Sequence, residues 1–423
     1  MKVFLKKARA GTPFSVLDPV RVEPLELAYL KAAAEAAGAE AHIVDDLFGI
    51  RGPDVIPDAI VLTGYNTAER KILEEAKRYK ERYPDIRVIV GGTHAERSSG
   101  DFHSPYVDFV VHSPDLQLFM DILRLIEGKS VEIEPSGFDM KRRGVWTIGS
   151  KRPVTGKTEI APDRSLTEAV IEKTRYLDKG RVALVKGRIG CPYRCDFCYC
   201  RLLNGGVHIG PDYGNLLDES LQLDADHVWI VDDVFLVSRK DALEFIDAAE
   251  ARNGRLSLIA YLRADFILKN SDLMGKLREC GLAEVIVGFE ATSNSELDAY
   301  NKQTDALDYP EVIRILRESG IDLTALFMVS PDYRIADFRR LARFLRENSI
   351  DTYTVSILTP IKGTEGYEEM KEKLLTDRPE RFDFLHLVTK PHLPAAVFYL
   401  MFLWLHLGLL RSGRIRSFIR QAL

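Results

Sequence analysis

Apolar positions along this chain of 423 residues fall into two recurring rhythms, and each predicts its own kind of element. In the first 130 residues, the runs Lys2 to Leu5, Ala41 to Val44, Ala59 to Thr63, Arg87 to Val90 and Phe109 to Val111 are short, apolar and rich in β-branched residues, as strands are. Between them, Glu23 to Ala37, Glu69 to Arg82 and Leu116 to Ile126 carry apolar residues at helical spacing. Pro24 suits a first helical turn and Gly38 a stop. Strands alternating with helices in this order predict a doubly wound, Rossmann-like α/β domain over 1–130. Such sheets bind ligands beyond the carboxyl ends of their strands, and two ends carry suitable residues: Thr63-Gly64-Tyr65-Asn66 and Gly91-Gly92-Thr93-His94. Glycines there allow a ligand close to the backbone, although they also serve as plain hinges.

The pattern resumes at about residue 181. Val182 to Lys186, His227 to Val231, Leu256 to Leu262, Glu284 to Val287, Leu323 to Val329 and Thr352 to Leu358 read as six strands, with Arg239 to Ala251, Ser271 to Glu279 and Tyr309 to Ser319 among the helices between them. Six βα units therefore fill 181–370. The intervening 131–180 reads as a linker: Glu132-Ile133-Glu134-Pro135-Ser136-Gly137 breaks regular structure, and Lys141-Arg142-Arg143-Gly144 reads as a solvated turn. The last segment, 371–423, is a helical tail, apolar and then basic. Leu393 to Leu410 holds few polar residues, and Arg411, Arg414, Arg416 and Arg420 follow. That run is at the lower edge of a transmembrane length, and Pro394, His406 and Gly408 weaken that reading. Two readings stay open: a helix lying in the membrane interface with its arginines at anionic headgroups, or a core helix plugging the open side of the barrel.

Charge narrows the class. With 58 basic and 63 acidic residues, the net charge is -5 and no long single-sign block occurs, which points away from nucleic acid and leaves small-molecule or lipid-like substrates. Met1 to Leu5 runs straight into Lys6-Lys7, too short an apolar run for a signal peptide, so the expected place is the cytoplasm, with peripheral contact at the inner face of the membrane through 393–423 if the interfacial reading holds. Cysteine usage is the sharpest signal: four of the five cysteines fall within Cys191 to Cys200. Cys191, Cys195 and Cys198, spaced C-x3-C-x2-C, can aim three thiolates at one centre. That suits a four-iron cluster with one iron open to an outside ligand. The rival is structural zinc, with Cys200 or His208 as fourth ligand; Cys280 reads as a buried helix residue.

The spacing, with Phe197 just before the third cysteine, resembles the radical S-adenosylmethionine (SAM) enzymes. The resemblance implies a partial (βα)6 barrel, a [4Fe-4S] cluster held by Cys191, Cys195 and Cys198, and SAM chelated on the open iron and cleaved to an adenosyl radical. It further implies cofactor contacts from Phe197, from Asp232 and Asp233 toward the SAM ammonium group, from Arg263 toward the methionyl carboxylate, and from Glu290 toward the ribose or amine. Asn301-Lys302 and Thr359-Pro360-Ile361-Lys362-Gly363-Thr364 resemble family segments too, and Pro162-Asp163-Arg164 resembles the connector before the barrel. The position of the first domain resembles that of the cobalamin-binding domain in a large class of these enzymes. Thr63, Gly91, Gly92 and Thr93 would then line the slot for the nucleotide tail. One departure stands out: the first strand is followed by Lys6-Lys7-Ala8-Arg9-Ala10-Gly11-Thr12-Pro13, without the cobalt-ligating histidine that many such domains carry. His42 and His94 read as ordinary residues rather than cobalt ligands. Phe382-Asp383-Phe384-Leu385-His386 and Leu393-Pro394 resemble the tails of enzymes that tailor hopanoids or close the bacteriochlorophyll ring, which implies an apolar substrate. The expected activity is cobalamin-dependent methylation of an apolar small molecule, with flavodoxin or ferredoxin as electron donor. The alternatives are radical cyclisation, rearrangement or oxidation without cobalamin, and, outside catalysis, a metal-stabilised module or redox sensor.

Overall fold

The computed structural model describes residues 1–10, 19–129, 133–153, 160–210 and 212–422; Gly11, Thr12, Pro13 and Glu132 lie outside the described residues, as does the side chain of Arg420. Strand β1 (Lys2–Lys7) leads through the short β2 (Val20–Arg21) to β3 (Glu40–Val44), β4 (Ala59–Thr63), β5 (Arg87–Gly91), β6 (Phe109–Val111), β7 (Phe138–Arg142) and β8 (Val145–Thr147). All but β2 form one sheet, in the order β3-β1-β4-β5-β6-β7-β8. The first five are parallel, and every residue of β4 is buried, as expected of a sheet covered by helices on both faces. The chain direction across the sheet reverses between β1 and β4, and ligands bind beyond the strand ends at such a switch point. At the first helix, Leu25–Ala36, Pro24 stands at the N-cap, and Gly38 follows the end with φ +87°.

The stretch expected as a linker does more than connect. Its strands β7 and β8 extend the sheet as an antiparallel hairpin, turned by Arg143 and Gly144 at φ 51° and 82°. Positive φ at both central residues matches the twist of the flanking strands, so the solvated turn is the tip of a hairpin. Farther on, β9 (Arg175–Tyr176) and β10 (Lys179–Gly180) join β2 in a small antiparallel sheet.

The second half is a six-stranded parallel sheet, β11 (Val182–Val185), β12 (His227–Ile230), β13 (Leu258–Leu262), β14 (Leu282–Glu290), β15 (Asp322–Val329) and β16 (Tyr353–Ile357), paired in chain order. One face packs on its own helices in a large apolar core. The concave face is filled from elsewhere in the chain: Leu184, Trp229, Ile259 and Ile286 meet Leu25 and Ala28 of the first helix and Tyr176 and Leu177 beside β9. The two halves therefore share an apolar cluster.

The tail packs on the barrel in two pieces. Helix Ala395–Leu407 lies on the outside of the half-barrel, where Phe398 meets Phe338 edge-on at 5.3 Å and Tyr353 Oη donates to the Leu405 carbonyl at 2.6 Å. After Arg411 the axis bends by 94°. Helix Gly413–Ala422 then turns inward, so that Arg414 donates to Glu284 and Asp178, whereas Arg411 and Arg416 are exposed. No single helix among the described residues is long and apolar enough to cross a membrane.

Candidate active site

The cysteine loop leaves the end of β11 and is fixed by backbone bonds to carboxylates from the next strand end. Asp232 accepts from the N–H groups of Gly187 and Arg188 at 2.8 and 2.9 Å, and Asp233 from Gly190 at 3.1 Å. Gly190, at φ +83°, lies so close to the Val207 carbonyl that a Cβ would sit 1.7 Å from its oxygen, so no other residue fits. On its far side the loop is gripped by the Tyr300-Asn301 corner: Asp196 N–H donates to the Tyr300 carbonyl at 3.1 Å, and Asn301 Nδ2 to the Arg194 carbonyl at 3.0 Å. Gly366 N–H closes the grip on the Asp196 carbonyl. Phe197 packs edge-on against Tyr300.

Cys195 is buried, and Cys191 and Cys198 are half-buried. Burial pushes the Cys191 thiol up to about 11 and raises that of Cys195, so a bound metal would have to displace their protons. Among the described residues, no three of the cysteines and His208 bring their ligand atoms within 4.8 Å of one another, as the ligands of a single ion would be. A cube with a separate iron for each thiolate takes three cysteines close in sequence, and this loop supplies Cys191, Cys195 and Cys198. Cys280, expected as buried, is half-buried just past helix Ser271–Glu279.

The remaining barrel residues expected at SAM are partly engaged with one another. Glu290 ends β14 with φ 65° beside a register shift, and its carboxylate accepts from Lys302 Nζ at 2.8 Å in a buried pair. Arg263 donates from Nε to Asp265 and from Nη2 to the Lys302 carbonyl, both at 2.8 Å, while its guanidinium lies 3.8 Å over the Tyr193 ring. That arrangement holds Tyr193 of the cysteine loop in place. Asp232 is fully buried with its oxygens committed to backbone, and burial pushes its carboxyl up to about 7.

Between the two halves lies a cavity of about 2550 Å³. Lys7, Ala8, Thr63, Gly64, Tyr65, Gly91, Gly92 and Thr93 line it from the first sheet, and Lys186, Cys200, Trp229, Asp232, Asp233 and Tyr261 from the barrel. It thus brings Thr63, Gly91, Gly92 and Thr93 together with Asp232 and Asp233, whereas Cys191, Cys195, Cys198, Phe197, Arg263 and Glu290 do not line it. Tyr65 belongs to the strand end that sequence offered for a ligand, and Cys200 reads from sequence as either a bystander or a thiol near the substrate; Tyr199 and Tyr261 on the same wall come from distant segments and share no local pattern with them. Neither histidine considered for cobalt reaches the cavity. His42 pairs with Glu40 on β3, and His94 sits 2.9 Å from Glu69 and 3.4 Å from Asp101. Burial alone would lower the His94 pKa, but the hydrogen bonds to Asp101 and Glu69 outweigh it and raise it.

A parallel half-barrel with a three-cysteine loop at the carboxyl end of its first strand, joined to a doubly wound sheet across a large cavity, defines a cluster-bearing two-part enzyme. Residues 189–345 match the model of the radical SAM superfamily; the barrel is a radical SAM domain and the chain a radical SAM enzyme. Such a domain implies a [4Fe-4S] cluster and SAM as cofactors. Over 87% of its length the chain is 23% identical to the anaerobic magnesium-protoporphyrin IX monomethyl ester cyclase of Rubrivivax gelatinosus, covering 70% of that protein. Over 90% it is 22% identical to the hopanoid C-3 methylase of Methylococcus capsulatus, covering 75%. The solved cobalamin-dependent S-adenosylmethionine radical enzyme OxsB, with aqua-cobalamin and SAM bound, superposes with a TM-score of 0.72 at 15% identity; the match takes in 92% of this chain and 64% of that one, a likeness of fold.

Proposed function

We propose that this chain is a cobalamin-dependent radical SAM methyltransferase acting on an apolar, lipid-like small molecule. The observation that carries the reading is the cavity at the switch point of the first sheet, which faces the cysteine loop and exceeds about twice the 300–1,000 Å³ of an ordinary ligand pocket. A cofactor and a substrate can share it. The residues present suit a corrinoid: the Gly91-Gly92 strand end lets a ligand approach the backbone, and the Thr63 hydroxyl is buried without a partner where a ligand group could take its hydrogen bond. Ala8, Arg9 and Ala10 follow β1, so the corrinoid would be held without a histidine from that loop.

When bound, the cluster and SAM supply an adenosyl radical for hydrogen abstraction, and the corrinoid supplies a methyl group. The chain's own residues hold and shape. Asp232 and Asp233 fix the cysteine loop through its backbone, and Tyr65, Tyr199, Trp229 and Tyr261 give the cavity an aromatic wall suited to an apolar substrate. Asp233 and Glu290 are the carboxylates proposed to meet the SAM amine and ribose. A donor of the flavodoxin or ferredoxin class would supply the electron to a cluster bound there.

The test is growth with cobalamin, anaerobic purification, and turnover with SAM labelled in its methyl group. Corrinoid absorbance and label in an apolar product support the reading. SAM cleaved on substrate without label transfer would replace it with cyclisation or oxidation, the second reading that likeness to the anaerobic cyclase favours.

A further inference from the structure

Helix Ala395–Leu407 and the turn after it present two apolar faces, of which the fold uses one. Phe398, Phe402 and Leu405 are buried against the half-barrel. On the other side each of Leu400, Leu403, Trp404, Leu407 and Leu410 has another of them three or four residues away, so they form a single stripe. Leu400 and Leu403 are 66% and 57% exposed, Leu407 and Leu410 about half. A contiguous exposed apolar stripe of this kind marks an interaction surface.

The charges around it select the occupant. No Asp or Glu follows Asp383 in the sequence. Arg411 at the end of the stripe and Arg416 on the helix after it are exposed and pair with no carboxylate among the described residues. A second copy docked on the same face would bring these arginines toward their equals, with no acid in the tail to offset them. A layer of anionic headgroups over an apolar interior complements both features. The 94° bend after Arg411 sends the next helix back to Glu284, a course that suits lying along such a layer rather than crossing it.

We propose that this stripe docks the protein on an anionic bilayer, with Leu400, Leu403, Trp404, Leu407 and Leu410 in the apolar boundary and Arg411 and Arg416 at the headgroups. The surface is tied to the interdomain cavity. Asp383 and His386 line the cavity, and the neighbouring Leu387 N–H donates to Tyr399 Oη on the docking helix at 2.8 Å. Docking would thus hold the cavity near the layer from which an apolar molecule could enter; the docking itself does not depend on the reaction proposed above.

The full chain, purified anaerobically, is mixed with vesicles of phosphatidylcholine alone or with phosphatidylglycerol added, and floated on a density gradient. It is expected to float with the anionic vesicles and to be released as salt rises from about 0.05 to about 0.5 M, because screening weakens attraction between exposed charges. Leu403→Glu with Leu407→Glu should lower partitioning by about tenfold or more, since each places a charge in the apolar boundary, with thermal unfolding and iron content unchanged. Arg411→Glu with Arg416→Glu should abolish the preference for anionic lipid. Failure to float with anionic vesicles at low salt overturns the proposal. So does a wild-type dimer in light scattering that Leu403→Glu makes monomeric, which would assign the stripe to a second copy.

Discussion

The Asp232 carboxylate accepts a 2.8 Å hydrogen bond from the backbone N–H of Gly187, four residues before the first cluster cysteine. Its other oxygen takes the N–H of Arg188, so the side chain expected to bind the SAM ammonium group is a clamp on the cysteine loop. Removing it leaves two inward-facing amides without acceptors, each at a cost of about 1–3 kcal/mol. Asp232→Ala is therefore expected to unfold at lower denaturant and to retain less iron per chain. Asp232→Asn, which keeps one acceptor, should fall between. Unchanged iron and stability in Asp232→Ala would show that the loop is held without this clamp. Because burial raises the carboxyl to about 7 from 3.8, the folded chain keeps a proton that the unfolded chain releases. Wild type should then lose stability relative to Asp232→Asn as pH climbs from about 4 to about 7.

Cys200 lies beside Cys198 and Asp233, yet it lines the cavity while the other three cluster-loop cysteines do not. A three-thiolate cluster predicts that Cys191→Ala, Cys195→Ala and Cys198→Ala each lose cluster iron and SAM cleavage, whereas Cys200→Ala keeps both. Iron and sulfide analysis after reconstitution, with 5′-deoxyadenosine measured alongside, separates them. Iron lost equally from Cys200→Ala would mean a fourth protein ligand.

Local pattern carried much of the fold. Ala59–Thr63, Phe109–Val111 and the helix Glu69–Arg82 match their expected bounds, because apolar period alone decides such elements. The hairpin of β7 and β8 is hidden in a stretch that reads as linker, because Asp139, Lys141 and Arg142 leave its strands few apolar residues. Asp139 is in fact buried, accepting from the Gly149 N–H and lying 2.9 Å from His103. The three cysteines were legible because one short loop holds them all. The tyrosine wall and the Asp232 clamp were not, since their partners are set by how β4, β11, β12 and β13 come together. Arg414 looked like its exposed neighbours because nothing in its own segment announces Glu284, which is 130 residues away.

Gly92 adopts φ +103° and ψ -179°, a backbone region that is essentially closed to other residues. The space around it is less restrictive, since a Cβ would meet Gly64 and Thr63 only at 3.5 to 3.6 Å. Gly92→Val should cost about 1–3 kcal/mol through the backbone, and should reduce corrinoid uptake by reshaping the strand end that lines the cavity. His42→Ala and His94→Ala should leave the corrinoid spectrum unchanged. A spectrum altered by either histidine change would overturn the reading of a corrinoid held without their help.

Arg414 joins the tail to the base of the half-barrel. Its Nη1 and Nη2 each lie 2.9 Å from a different oxygen of Glu284, which is fully buried, and its Nε donates to Asp178. Breaking a buried ion pair from one side costs about 3–5 kcal/mol, because a charge is left without its partner. Arg414→Met should fall at the lower end, since Glu284 keeps Lys179 at 2.9 Å and the Thr324 hydroxyl at 2.7 Å. Adding Glu284→Gln to Arg414→Met should cost less than the sum of the two single changes, and denaturant melts of the four proteins measure that coupling. Burial alone would raise the Glu284 pKa, but Arg414, Lys179 and Thr324 together hold it below 4.5. Its contribution is therefore present above about pH 4.5 and lost as pH falls through the lower folded value, so the gap between wild type and Glu284→Gln should close in acid. Truncation before Ser412 should destabilise the barrel as Arg414→Met does. Equal stability of the truncated and intact chains would show that the tail is only an appendage.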